Sequence, residues 1–121
     1  MRVPFGTADR NVPRQAAALS ELDLAQAEER RLRERLQVEA ETARSTLAIS
    51  QQQLAIEQSR AALLRERAAL IDKSFRAGES ALPELLRALG AAAQAEAASV
   101  RAGTALGLAR AQLHQTLGLL P

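Results

Sequence analysis

The chain has 121 residues, 47 of them Ala or Leu, with two Phe as the only aromatics and no Cys. Such a length holds one domain at most, and this composition is that of long helices; it excludes a sheet protein, a disordered chain, a disulfide scaffold and a Cys-based metal site. The 16 basic and 14 acidic residues are interleaved and leave a net charge of +2, so no basic face points to nucleic acid.

No apolar run approaches the 18 residues of a membrane-spanning helix. The first residues lack the basic, apolar and small-residue order of a signal peptide, so the sequence read literally is soluble and unexported.

Residues 1–13 hold Pro4, Pro13 and Gly6 among turn formers. Met1–Phe5 reads as the end of a β-strand, Gly6–Asn11 as a turn, and Pro13 as the first position of a helix with Asn11 nearby as a cap. From Arg14 to Lys73 there is neither Gly nor Pro, and nearly every residue is a good helix former. Sixty such residues make a rod of roughly 90 Å, which no small globule contains. The spacing therefore predicts a coiled coil or helical bundle.

Residues 74–82 form the expected turn. Gly78 is able to take positive φ and end the first helix, and Pro83 suits the start of a second, whose missing N–H is not needed there. The returning helix is predicted over 83–118, with 119–121 as a tail. Gly90, Gly103 and Gly107 lie inside it and are read either as tolerated or as places of close helix approach.

Over residues 47–75 the pattern repeats every seven. Leu47, Leu54, Ala61, Ala68 and Phe75 form one class, Ala48, Ala55, Ala62 and Ala69 a second, and Ile49, Ile56, Leu63 and Leu70 a third. On a helix these classes sit near 0°, 100° and 200°. The first and third face nearly opposite sides, so the helix has two neighbours to pack against, as in a wall of helices, and the strict repeat implies left-handed supercoiling. The returning helix covers only about Val38 to Lys73, which leaves residues 14–37, with Leu19, Leu22, Leu24, Leu32 and Leu36, to be covered by other chains or by a further part of this one.

These features together resemble the C-terminal portion of the TolC family of outer-membrane efflux proteins. Val3-Pro4-Phe5-Gly6 resembles the strand end that leaves the β-barrel, and Arg14–Lys73 the long descending helix. Phe75-Arg76-Ala77-Gly78-Glu79 with Leu82, Glu84, Leu85, Leu86 and Ala88 resembles the family's aromatic–x–x–Gly turn. Ala109, Leu113, Leu117 and Gly118 resemble its closing pattern. Arg2–Gly6 and Phe75…Gly78-Glu79 are most similar to the branch serving heavy-metal efflux pumps. The resemblance implies an all-α antiparallel hairpin of coiled-coil type, forming part of an α-barrel tunnel with a residual N-terminal strand end, as a piece of a longer chain. It implies a trimer, outer-membrane location with the helices in the periplasm, a periplasmic adaptor as partner, and an inner-membrane pump as the indirect source of energy. It also implies that Phe75, Arg76, Gly78, Glu79 and Glu84 form the pore tip or adaptor contact: Gly78 makes the turn, Phe75 packs beneath it, and the charges face the adaptor or gate.

Other candidates read as structural. Glu28–Arg35 is a solvated face in which Glu29–Arg33 and Arg30–Glu34 are i,i+4 pairs. His114 has no companion at metal-ligand spacing, so no metal or cofactor is expected. Gly103–Gly107 lacks the Lys-Ser/Thr of a phosphate loop, and no nucleophile–base or paired-acid arrangement stands out, so the chain does not read as an enzyme. Two alternatives accompany the efflux tunnel. One is a soluble coiled-coil hairpin acting as a scaffold. The other is a periplasmic adaptor hairpin, for which no flanking strand pattern is present.

Overall fold

The computed structural model describes residues 5–119, with side chains from 12 to 119. Helix α1 spans Phe5–Arg76 and helix α2 spans Leu82–Leu119, 72 and 38 residues long. At 1.5 Å per residue they measure about 108 Å and 57 Å. They run antiparallel as one hairpin, and among the described residues there is no strand. No helix among those residues is long and apolar enough to cross a membrane.

The first helix starts earlier than its sequence suggests. Gly6–Asn11 is helical rather than a turn, and Pro13 lies inside α1 rather than at its start. Pro13 withholds one hydrogen bond, the one its N–H would have donated to the Asp9 carbonyl. The two turns before it extend a helix already nucleated downstream, so they need no nucleus of their own. Phe5, read as part of a strand end, opens the helix; Met1–Pro4 lie outside the described residues. At the other end α1 continues to Arg76, which narrows the turn to residues 77–81.

Buried and half-buried positions of α1 recur at alternating intervals of four and three, from Leu36 and Ala40 through Leu47, Leu54, Ala61 and Ala68 to Ile71 and Phe75. That spacing is a heptad seam, and α2 supplies its partner from Leu85, Ala88, Ala92 and Ala95 to Ala102, Leu106 and Ala109. The first sequence class is therefore the in-chain seam. Its other half, Ser50, Glu57, Leu64 and Ile71, is absent from the sequence reading. The second and third classes are exposed; Ile49, Ile56, Leu63 and Leu70 keep 60–67% of their surface.

Alanine dominates the seam. Ala68, Ala88 and Ala92 form a buried cluster, with Leu64 and Ile71 packed on it, and among the described residues no large side chain is fully buried. Of the three helical glycines read for close approach, only Gly103 meets the other helix: a Cβ there would lie 4.0 Å from Leu54 Cδ1, while Gly90 and Gly107 face open space.

The last turns of α2 lie beside Val38–Thr46 of α1, where Gln112, Gln115 and Thr116 share a groove with them. Leu36 is half-buried at the edge of that overlap, but Leu19, Leu22, Leu24 and Leu32 are 52–61% exposed. The whole chain exposes 9588 Å². A compact monomer of 13.0 kDa exposes roughly 6,300 Å². The difference is the surface of a rod that packs on itself along one side only.

Candidate functional site

The turn is the site that the sequence singles out, and its backbone explains its shape. The Glu79 N–H donates to the Ser74 carbonyl at 2.9 Å, and the Gly78 N–H donates to the Phe75 carbonyl at 3.0 Å. These are the two bonds of a Schellman cap, which requires a left-handed residue just past the helix. Gly78 takes that place with φ 77°. Nothing lies within 4 Å of where its Cβ would be, so glycine is required there by the backbone angle and not by crowding. Across the turn the Ser74 and Ser80 hydroxyls hydrogen-bond to each other.

Helix α2 restarts at once. The Ala81 carbonyl accepts from the N–H groups of Glu84 and Leu85 at 3.1 and 3.3 Å, which makes Ala81 the capping residue, one with no side-chain acceptor to offer. Pro83 sits in the first turn, where no N–H partner is needed. Glu84 is the acidic residue of that turn and complements the positive end of the helix dipole.

Phe75, Arg76, Gly78, Glu79 and Glu84 are thus gathered at one end of the hairpin, but they do not act alike. Phe75 is half-buried as the last layer of the seam, so it props the turn from beneath. Arg76 turns back along α1, its Nε 3.2 Å from Asp72 Oδ2. Glu79 and Glu84 are exposed at the end itself. Beside Glu84, Arg67 and Arg87 line a shallow groove with Ala81 and Pro83, and Arg87 Nε also donates to the Pro83 carbonyl at 3.3 Å. The turn end therefore presents the exposed carboxylates of Glu79 and Glu84, and Glu84 shares its groove with the guanidinium groups of Arg67 and Arg87. This arrangement suits recognition of a charged protein surface. No group of three or more metal-ligating side chains occurs among the described residues.

The cluster Glu28–Arg35 contains the Glu29–Arg33 pair, at 2.8 Å and well exposed. His114 is exposed on α2. What the sequence reading misses lies on the long sides of the hairpin. Arg65 reaches across the seam to Glu96. Glu57 occupies a seam layer, where Gln53 binds one carboxylate oxygen at 3.0 Å and the other, Oε2, is buried without a partner. An open apolar groove runs beside Ile56, Leu63, Leu64 and Ala91, edged by Arg60. The heptad count that exposes Glu57 and the groove was available in the sequence.

Comparison with family models gave no match, and neither did comparison with curated proteins or with solved structures.

Proposed function

We propose that the chain is a wall segment of an α-helical tunnel, of the type found in trimeric outer-membrane efflux channels of the TolC family. The observation that carries this reading is the row Ile49, Ile56, Leu63 and Leu70, which stays exposed on the side of α1 away from α2. A free-standing two-helix hairpin has no use for large apolar side chains there, whereas a helix inside a wall has a second neighbour. In this reading the tunnel conducts passively, an inner-membrane pump supplies the energy, and the Gly78 turn is the periplasmic tip. Glu79, and Glu84 with Arg67 and Arg87 beside it, then meet the adaptor.

Fractionation of the source cells with an antibody against residues 40–120 tests the location. The expected result is signal in the outer membrane. A band in the cytoplasm at 13.0 kDa overturns the reading. Cross-linking through Glu79→Cys tests the tip, and the expected product contains a periplasmic adaptor.

A second reading, a coiled-coil hairpin scaffold, is favoured by the in-chain seam, whose heptad spacing holds from Leu36 to Phe75. The cytoplasmic band would select it.

A further inference from the structure

Two grooves on the hairpin join end to end. The apolar one lies beside Ile56, Leu63, Leu64 and Ala91, with Arg60 at its edge. The charged one lies nearer the turn, where Leu64, Ala88 and Ala91 line it together with Arg67, Arg87 and Glu84. Leu64 and Ala91 belong to both, so the two form one furrow. From Ala55 to Arg67 it follows α1 for about 18 Å.

The furrow exists because α2 is small there. Ala88 and Ala91 carry nothing beyond Cβ, so the strip between the helices is left unfilled, and Leu64 and Ala91 stay half-buried. The apolar stretch offers about 660 Å³ and the charged stretch about 590 Å³. Both fall within the roughly 300–1,000 Å³ of small-molecule sites. Ile56 and Leu63 on its α1 side keep 60% and 66% of their surface.

We propose that this furrow binds the anion of a free fatty acid, with the carboxylate between Arg67 and Arg87 and the alkyl tail along Leu64, Ala91, Leu63 and Ile56. The inference does not need the tunnel-wall reading, since one hairpin supplies the whole furrow. Where that reading holds, a bound anion takes up the two guanidinium groups that otherwise meet the adaptor.

Charge selects an anion and sets its direction. Three arginines and one glutamate line the furrow. Among the described residues neither Arg67 nor Arg87 forms an ion pair with a carboxylate. Arg87 spends Nε on the Pro83 carbonyl, which leaves its terminal nitrogens for a ligand. A guanidinium matches a carboxylate through two parallel hydrogen bonds. Glu84 lies nearer the turn than Arg87 and repels an anion that moves further that way. The head therefore stops at the arginines, and the tail runs away from the turn.

The apolar stretch selects a long tail. A methylene taken fully out of water strengthens binding about fourfold. An open furrow covers a chain on one side only, so four extra methylenes should strengthen binding about tenfold and not by the full factor. The groove beside Glu28 shows what charge alone provides: Arg31 and Arg35 line it, but Leu32 is its one apolar side chain.

The test titrates the full chain with dodecanoate below its micelle-forming concentration, followed by calorimetry and amide chemical shifts. The expected result is one molecule per hairpin, with shifts confined to residues 55–67 and 81–91 and none at Arg31 or Arg35. Dodecanoate should bind about tenfold tighter than octanoate, and at least about tenfold tighter than dodecyltrimethylammonium, which has a similar tail and the opposite charge. Arg67→Gln should weaken binding several-fold. Ala91→Leu, which fills the furrow where its two stretches meet, should abolish binding with helicity unchanged by circular dichroism. Equal binding of the ammonium overturns the proposal, as do shifts spread along both helices or undiminished binding by Ala91→Leu. If Ala91→Leu loses helicity, the exposed Arg67→Gln and the two head groups decide. A wild type that sediments as a stable oligomer and shows no shift with dodecanoate has a second copy in the furrow, which also overturns the proposal. These results come from the purified chain, so their failure leaves the outer-membrane test standing as a separate question.

Discussion

Arg65 on α1 donates through Nε to Glu96 Oε1 on α2 at 2.8 Å, with the two residues 31 apart in sequence. The pair bridges the two helices beside the seam, in the half nearer the turn. Both side chains are at least half exposed, so water and salt screen the attraction. Glu96→Gln should therefore lower stability by only about 0.2–1 kcal/mol, and the loss should shrink in high salt. Urea denaturation at two salt concentrations, with protein concentration held fixed, measures both.

Gly78→Ala puts a Cβ into the left-handed region. The expected loss is about 1–2 kcal/mol, with no change in the helical content of the folded state. Gly78→Asn should lose less, since asparagine tolerates that region better. Equal losses for the two would show that the left-handed angle is not what demands glycine.

Ala81 caps α2 without an acceptor. Ala81→Asp or Ala81→Ser should gain about 1 kcal/mol by accepting from the N–H of the following turn. A thermal melt showing no gain would mean that the Ser74–Ser80 hydroxyl pair already holds the turn rigid enough.

Glu57 places a carboxylate oxygen in the seam without a partner. Glu57→Leu should stabilise the hairpin by about 1–3 kcal/mol, the range for relieving an unsatisfied buried group. Glu57→Gln, which keeps the polar end, should gain far less. A destabilised leucine variant would count against the seam assignment of this position.

Ala68 is buried in one cluster with Ala88 and Ala92. Ala68→Leu should cost about 1–3 kcal/mol by forcing the helices apart. Alanine at the exposed position 69 should accept leucine at little cost, and the difference between the two neighbours is the measurement.

Much of this architecture is legible in the sequence, for identifiable reasons. A run from Arg14 to Lys73 without Gly or Pro leaves the backbone few alternatives to helix, and Gly78 is marked because a Schellman cap needs its angle. The first heptad class is read correctly because Leu47 and Leu54 are bulky. The other half of the seam is hidden because Ser50 and Glu57 interrupt it, and an apolar search passes over Leu64 and Ile71 once those layers look polar. Pro13 misleads in the opposite sense, since a residue that usually opens a helix is carried inside one by the length of helix behind it. At the tip, composition identifies Arg76 and Glu79 together. Only coordinates separate Arg76, held by Asp72, from the free carboxylate of Glu79.

The in-chain contacts are nested around the Gly78 turn, from Ser74 with Ser80, six residues apart, to Arg65 with Glu96, 31 apart. Loop closure grows costlier only slowly with length, so once the turn has formed each further layer adds at nearly constant cost. The hairpin is therefore a zipper, with a mechanical direction. Pulled apart from its open end, it yields one Ala-lined layer at a time and at low force. Pulled along its axis, with α1 dragged past α2, it must give up every layer from Leu36 to Phe75 at once. Such a rod is stiff against loads along its length and weak against splaying at its open end.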